Sequence, residues 1–166
     1  MSQRNGTVVC PGSYDPVTNG HIDIITRTSQ VFDKVVVGVV NNPVRKQRTL
    51  FNAEERRDFI REATADLPNV EVQIFAALLV EFARDNNAKA IVKGLRAISD
   101  FEYEFEMAQL NRVLDPGIES IYVIASPNYS FLSSTGVKEM ATFGGDVSDL
   151  VPAPVAVALS ERLPER

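Results

Sequence analysis

A chain of 166 residues, 45% of them hydrophobic, is long enough to close one core without a metal or disulfide staple, so a single domain over residues 1–166 is expected. A formal net charge of -5 and a pI near 4.9 argue against nucleic acid as a partner and leave phosphate binding to locally placed cations and backbone amides. Cys10 is the only cysteine, MSQRNGT has no apolar signal-like run, and no stretch reaches the roughly 18 apolar residues of a membrane span; a soluble cytoplasmic protein with no membrane partner is expected.

The first predicted strand is Thr7-Val8-Val9-Cys10, a β-branched run ended by the breaker pair Pro11-Gly12, with a second breaker at Asn19-Gly20. Ile24, Ile25, Thr28, Val31 and Phe32 then recur at helical spacing, and residues 35–40 form a nearly unbroken β-branched run that reads as a strand buried on both faces. Strand, helix and two-sided strand make a βαβ unit, which points to a parallel sheet. Asn52-Ala53-Glu54-Glu55 has the form of a capping box and opens a helix carrying Phe59, Ile60, Ala63 and Leu67. Residues 70–75 read as a strand, 78–86 as a short helix and Ala90-Ile91-Val92 as the next buried strand. Ser99-Asp100-Phe101-Glu102 can cap a helix reaching Leu114, residues 120–125 supply a fifth strand, and Pro152 and Pro154 start a terminal helix. The pattern is α/β: a doubly wound, Rossmann-like, five-stranded parallel sheet with helices on both faces.

In such sheets ligands bind beyond the carboxyl ends of the strands, near the point where strand order reverses. Three loops there carry polar chemistry. Residues 11–21 after the first strand hold two glycines and put His21 at a helix start, where free amides and the helix dipole favour an anion; Gly12 and Gly20 let backbone approach phosphate oxygens. Lys93-Gly94-Leu95-Arg96 follows the fourth strand, and residues 126–135 after the fifth end in Ser130-Phe131-Leu132-Ser133-Ser134-Thr135. No P-loop and no G-x-G-x-x-G follows any strand, which removes the usual kinase and dinucleotide readings. Each feature also has a plain reading. A histidine at a helix start is usually a surface or capping residue; Lys93 and Arg96 can be solvated cations, and Ser133, Ser134 and Thr135 can be N-caps. Phe101, Phe105, Leu78 and Leu79 are first of all core candidates, and Cys10 a small buried hydrophobe. The coincidence of three phosphate-compatible loops at one end of one sheet favours a ligand site.

Thr18-Asn19-Gly20-His21 resembles the [HT]-x-G-H signature of the nucleotidyltransferase superfamily, and Ser133-Ser134-Thr135-Gly136-Val137-Lys138 is similar to its second signature, S-S-T-x-x-[RK]. Pro11-Gly12-Ser13-Tyr14-Asp15-Pro16, Lys93-Gly94-Leu95-Arg96, Asp100-Phe101-Glu102-Tyr103-Glu104 and Tyr129-Ser130-Phe131 resemble the bacterial phosphopantetheine adenylyltransferase family in particular, over about residues 7–155. That resemblance implies direct in-line displacement at the α-phosphate of ATP by the phosphate of 4'-phosphopantetheine, giving dephospho-coenzyme A and pyrophosphate without a covalent enzyme intermediate.

By motif match, His21, Ser13, Lys46 and Arg96 form the catalytic set. His21 donates to the α-phosphate, and Ser13, where many relatives have threonine, contacts both substrates. Tyr14, Gly94, Leu95, Arg96 and Glu104, with Tyr129, Ser130, Phe131, Leu132, Ser133, Ser134 and Thr135, surround ATP. Lys93 holds the acceptor phosphate, and Leu78 and Leu79 pack against the pantetheine arm. In Pro43-Val44-Arg45-Lys46, either Arg45 or Lys46 reaches that phosphate, with Lys46 preferred; the exchange is not neutral, because arginine binds phosphate bidentately and lysine as a point charge. The resemblance further implies Mg²⁺ bound through ATP phosphates and water, a homohexamer, and coenzyme A as a feedback inhibitor. Two alternatives stay open: a relative with another acceptor or nucleotide, such as a cytidylyltransferase or a nicotinamide mononucleotide adenylyltransferase, and a nucleotide-binding regulatory domain on the same scaffold.

Overall fold

The β-branched runs form the strands and the capped amphipathic stretches form the helices of a computed structural model that describes residues 5–44 and 48–163. In chain order these are β1 (Thr7–Gly12), α1 (Asn19–Val31), β2 (Lys34–Val40), α2 (Ala53–Ala63), β3 (Val70–Phe75), α3 (Leu79–Asp85), β4 (Ala90–Leu95), α4 (Ile98–Leu114), β5 (Glu119–Ile124), a 3-10 turn at Pro127–Tyr129, α5 (Ser134–Thr142) and α6 (Ala153–Arg162). The strands make one parallel sheet in the order β3-β2-β1-β4-β5, with Val9 opposite Val36 on one side and Ile91 on the other. The doubly wound class expected from the sequence is the observed one. Strand order reverses between β1 and β4, so their carboxyl ends lie side by side at the switch point.

The period-2 geometry of the strands divides the core. Val8, Cys10, Val35, Val37, Val39, Ala90 and Val92 face Ile25 of α1, Ile60 of α2, Val137 of α5, and Val155 and Leu159 of α6. Val9, Val36 and Ile91 point the other way, onto Val80, Phe82 and Ala83 of α3 and onto Ile118. Each valine buried fully here contributes about 1.5–3 kcal/mol by removal from water. On this second face Gly38 of β2 is a close-approach position: a Cβ there would come within 2.5 Å of Phe82 and 2.9 Å of Phe75, whose rings stack 4.2 Å apart.

The caps act as the sequence indicates. Asn52 Oδ1 accepts from the Glu55 amide and Glu55 Oε2 from the Asn52 amide, both at 2.8 Å, and Pro152 stands at the N-cap of α6.

Four expectations are corrected. Pro11 and Gly12 do not end β1 but form its last two rungs against Gly38 and Val39; the ladder to β4 pairs only Val8 and Val9, so the missing proline N–H falls beyond it. Lys93, Gly94 and Leu95 likewise belong to β4, opposite Tyr122, Val123 and Ile124. Helix α4 begins at Ile98 with Ala97 at the N-cap and no side-chain capping bond, in place of a cap in the Ser99 to Glu102 stretch. Phe101, Phe105 and Leu78, assigned to the core, are each about half exposed, as is Val31 of α1; Phe101 and Phe105 stack on each other at 5.8 Å, while Leu79 does pack on the second core face. Helical spacing finds an apolar stripe but not what the stripe faces.

Candidate active site

The loop after β1 is shaped by its own side chains. Tyr14 adopts φ 48° and folds its ring beneath Gly12, where a Cβ would come within 2.9 Å of the ring; its buried hydroxyl donates to the Cys10 carbonyl at 2.9 Å. Burial pushes the Tyr14 phenol well above its usual range, with Cys10 adding to the shift, and pushes the Cys10 thiol up to about 12 against the opposing hydrogen bond of Thr28. Both groups stay protonated and are structural.

Tyr14 also meets the His21 imidazole edge-on at 5.0 Å. Thr18 is the N-cap of α1 and His21 its N3 residue, so the T-x-G-H stretch is itself a capping box: Thr18 Oγ1 accepts from the His21 amide at 3.4 Å, and His21 Nδ1 accepts from the Thr18 amide at 2.9 Å. A ring nitrogen that accepts carries no proton, so the neutral imidazole keeps its proton on Nε2, as a donor. The plain reading of His21 as a capping residue and the sharper one as a phosphate donor therefore use different ring nitrogens.

The three loops meet. Arg96 Nη1 donates to the Leu132 carbonyl at 2.7 Å, joining the end of β4 to the segment after β5, and Arg96 pairs with Asp100 at 3.2 Å. Ser134 Oγ donates to the Pro16 carbonyl at 2.8 Å, joining the start of α5 to the loop after β1. A Cβ on Gly20 would lie 3.4 Å from Tyr129 Cβ, and one on Gly94 would lie 3.0 Å from Ile24 of α1. Ser133 Oγ caps the Gly136 amide at 3.0 Å and so serves as the N-cap of α5.

Lys93 and Glu104 form an ion pair at 2.9 Å between β4 and α4, with both side chains mostly buried. The Glu104 carbonyl accepts from Tyr122 Oη at 2.8 Å. Ser13 is half-buried, and Gly94, Arg96, Ser130, Phe131 and Thr135 are exposed; Leu132 and Tyr14 are buried. Leu78 and Leu79 stand at the start of α3, beyond the carboxyl end of β3. Arg45 and Lys46 lie outside the described residues.

Sequence reasoning did not single out Arg56 or Asp15, both fully buried. Arg56 donates only to backbone carbonyls: Ser13 at 2.7 Å, Val40 at 2.9 Å, Asn41 at 3.0 Å, Phe51 at 3.1 Å and Asn52 at 3.2 Å. Burial lowers its pKa, opposed by the attraction of Asp15 and Glu54. Asp15 accepts from the Leu50 and Phe51 amides at 2.9 Å each and from Lys138 Nζ at 3.1 Å. The only signal for Asp15 was its place inside a motif; an arginine in the first turn of an acidic helix carries none.

A family model described as cytidylyltransferase-like matches residues 9–140. Proteins named phosphopantetheine adenylyltransferase are similar at this length: that of Caldanaerobacter subterraneus subsp. tengcongensis is 53% identical over 154 residues (93% of this chain, 95% of the relative). Those of Clostridium tetani, 55% identical (87% and 89% covered), and Streptomyces coelicolor, 54% identical (95% and 98%), agree. The fold also matches the crystal structure of a Vibrio parahaemolyticus protein described as a nicotinate-nucleotide adenylyltransferase, with a TM-score of 0.66 and 17% identity over 95% of this chain and 92% of that one. At more than half identity over nearly its full length, the chain belongs to the cytidylyltransferase-like family and, within it, to the phosphopantetheine adenylyltransferases.

Proposed function

We propose that the chain, acting as one domain, transfers the adenylyl group of ATP to the phosphate of 4'-phosphopantetheine, with the cleft between the ends of β1 and β4 and the start of α5 as its active site. An acceptor phosphate oxygen forms a bond to the α-phosphorus as the bond to the bridging oxygen breaks, and pyrophosphate leaves. Such a reaction needs alignment and charge neutralisation more than a side-chain nucleophile. The convergence of three loops through the Arg96–Leu132 and Ser134–Pro16 bonds is the observation that carries this reading.

In it, His21 Nε2–H donates to the α-phosphate as charge builds there. Ser13 spans both substrates, and the amides and hydroxyls of residues 133–135 hold the triphosphate at the start of α5. Arg96, already anchored on Leu132, lines the nucleotide with Gly94 and Leu95. Lys93, paired with Glu104 in the ligand-free chain, takes the acceptor phosphate, Glu104 also borders the nucleotide, and Arg45 or Lys46, with Lys46 preferred, is the second cation for that phosphate. Tyr14 and Leu132 are buried, so their part is to set the backbone around the nucleotide. Leu78 and Leu79 accommodate the pantetheine arm.

The donors at this site are hydroxyls, amides and cations, which suit phosphate oxygens, and among the described residues no three His, Cys, Asp or Glu gather to hold a metal. Mg²⁺ enters as the counter-ion of ATP, mostly through water, because this ion keeps part of its hydration shell. The reaction is placed in the cytoplasm; separately, no helix of the described residues is long and apolar enough to cross a membrane. The exposed apolar residues of α4, Phe101, Phe105, Leu110, Val113 and Leu114, suit burial in a homohexamer. Coenzyme A, which contains both the adenylyl and the phosphopantetheine moieties, would compete for the same cleft as a feedback inhibitor.

Incubation with ATP, Mg²⁺ and phosphopantetheine should yield pyrophosphate and dephospho-coenzyme A, with no turnover when CTP replaces ATP or nicotinamide mononucleotide replaces the acceptor. His21→Ala should lower kcat several hundredfold, about 3 kcal/mol or more, with little change in ATP affinity. An equal loss of ATP binding would remove His21 from its role.

A further inference from the structure

We propose that Asp15 and Lys138 are a positioning pair locking the loop after β1 to α5, and that Lys138, the last residue of the S-S-T-x-x-K stretch, is not itself a ligand of the triphosphate. The proposal rests on the reading of this cleft as the ATP site. Asp15 lies between Ser13 and the Thr18–His21 capping box and has no solvent exposure, so a carboxylate there must be compensated on the spot. Its Oδ1 accepts from the Phe51 amide, and its Oδ2 from the Leu50 amide and from Lys138 Nζ at 3.1 Å. Burial works against the charged form, but the two amides and then Lys138 outweigh it and hold the carboxyl below its usual range.

Lys138 is 123 positions away in sequence and one helical turn after Ser134, whose hydroxyl bonds the Pro16 carbonyl. Residues four apart share a face of a helix, so one face of α5 is fastened to the first loop at two points, Ser134 to Pro16 and Lys138 to Asp15. Sending the ammonium to a phosphate would leave a buried carboxylate without its direct cationic partner, and removing one member of a buried pair is the costly direction. The pair thus fixes how far the start of α5, with Ser133, Ser134 and Thr135, stands from Ser13 and His21. Its effect on the reaction is indirect: it sets the distance between the groups that hold the triphosphate and the group that meets the α-phosphate.

The test is a double-mutant cycle on the full chain with Lys138→Met, Asp15→Asn and both together, plus Lys138→Arg. For each, kcat and KM are measured, ATP binding is titrated with Mg²⁺ and no acceptor, and an unfolding curve shows that the protein is folded at the assay temperature. A positioning pair predicts that Lys138→Met lowers kcat about tenfold or more while the Kd for ATP stays within about threefold. Asp15→Asn does the same, the double variant is no worse than the poorer single, and Lys138→Arg recovers most of the loss. A Kd for ATP raised about tenfold or more by Lys138→Met, with losses that multiply in the double variant, would make Lys138 a ligand and overturn the proposal. If Asp15→Asn fails to fold, the contrast between Lys138→Met and Lys138→Arg in kcat and ATP affinity decides alone. Absence of turnover in the unaltered protein would instead reject the site reading.

Discussion

Arg56 is the perturbation most sharply specified by the structure. Its Nη1 spans the carbonyls at the ends of β1 and β2, at Ser13 and Val40, its Nη2 reaches Asn41, and its Nε is shared between Phe51 and Asn52. One guanidinium therefore joins the loop that carries Ser13, the segment leading towards Arg45 and Lys46, and the first turn of α2. Methionine has comparable length but no donor, so Arg56→Met strips these carbonyls of a charged partner at about 1.5–3 kcal/mol per bond, taken singly. The bonds are not independent, and the variant no longer desolvates a charge, which brings the expected net loss to about 3–5 kcal/mol. For a chain of this size that is a large part of a stability of roughly 5–15 kcal/mol and lowers Tm by about 6–20 °C. Arg56→Lys keeps the charge but not the planar fork and should recover less than half. Urea and thermal unfolding, followed by circular dichroism and by tyrosine fluorescence, measure both variants. A loss under about 1 kcal/mol in Arg56→Met, or a lysine variant as stable as the parent, would refute the argument that the fork holds the strand ends together.

Gly38→Ala should cost about 1–3 kcal/mol, because the new methyl meets the stacked and largely buried rings of Phe75 and Phe82; an unchanged urea midpoint would mean that the rings move freely. Lys93→Ala should raise the calorimetric Kd for phosphopantetheine by about ten- to a hundredfold and that for ATP much less; the reverse order would reassign Lys93 to the nucleotide. Asp15 predicts an acid limb. Well above its ordinary 3.8 the carboxyl is ionised folded and unfolded alike, so its stabilisation is present in full and does not vary with pH. Below its ordinary 3.8 the unfolded chain takes up the proton first, so stability falls with pH until the lowered folded pKa is passed. Asp15→Asn should be less stable at pH 6 and lose less on acidification, as read by urea midpoints; parallel curves would show that the carboxyl is not perturbed.

The elements legible in the sequence are those whose signal is local. Residues 35–40 could only be a strand buried on both faces, and Asn52 with Glu55 marked the start of α2, because β-branching and capping depend on neighbours a few positions away. The ends of β1 and β4 were misplaced for the opposite reason. Whether Pro11 or Gly94 stays in a strand depends on how far Gly38 and Val123 extend alongside, and local composition does not carry that. The same division runs through the site. The three loops were found because each motif is short and the topology puts the ends of parallel strands on one side. Arg56 and Asp15 were not, since a charged side chain is normally read as solvated, and what keeps these two buried is a set of backbone groups from distant segments. The capping box at Thr18 and His21 stands between the two cases. Its spacing is visible in four residues, but only coordinates assign Nδ1 to the cap, which puts the proton of a neutral imidazole on Nε2. Motifs in this chain thus name the groups that would touch ligand, and the buried charges that no motif reveals determine where those groups stand.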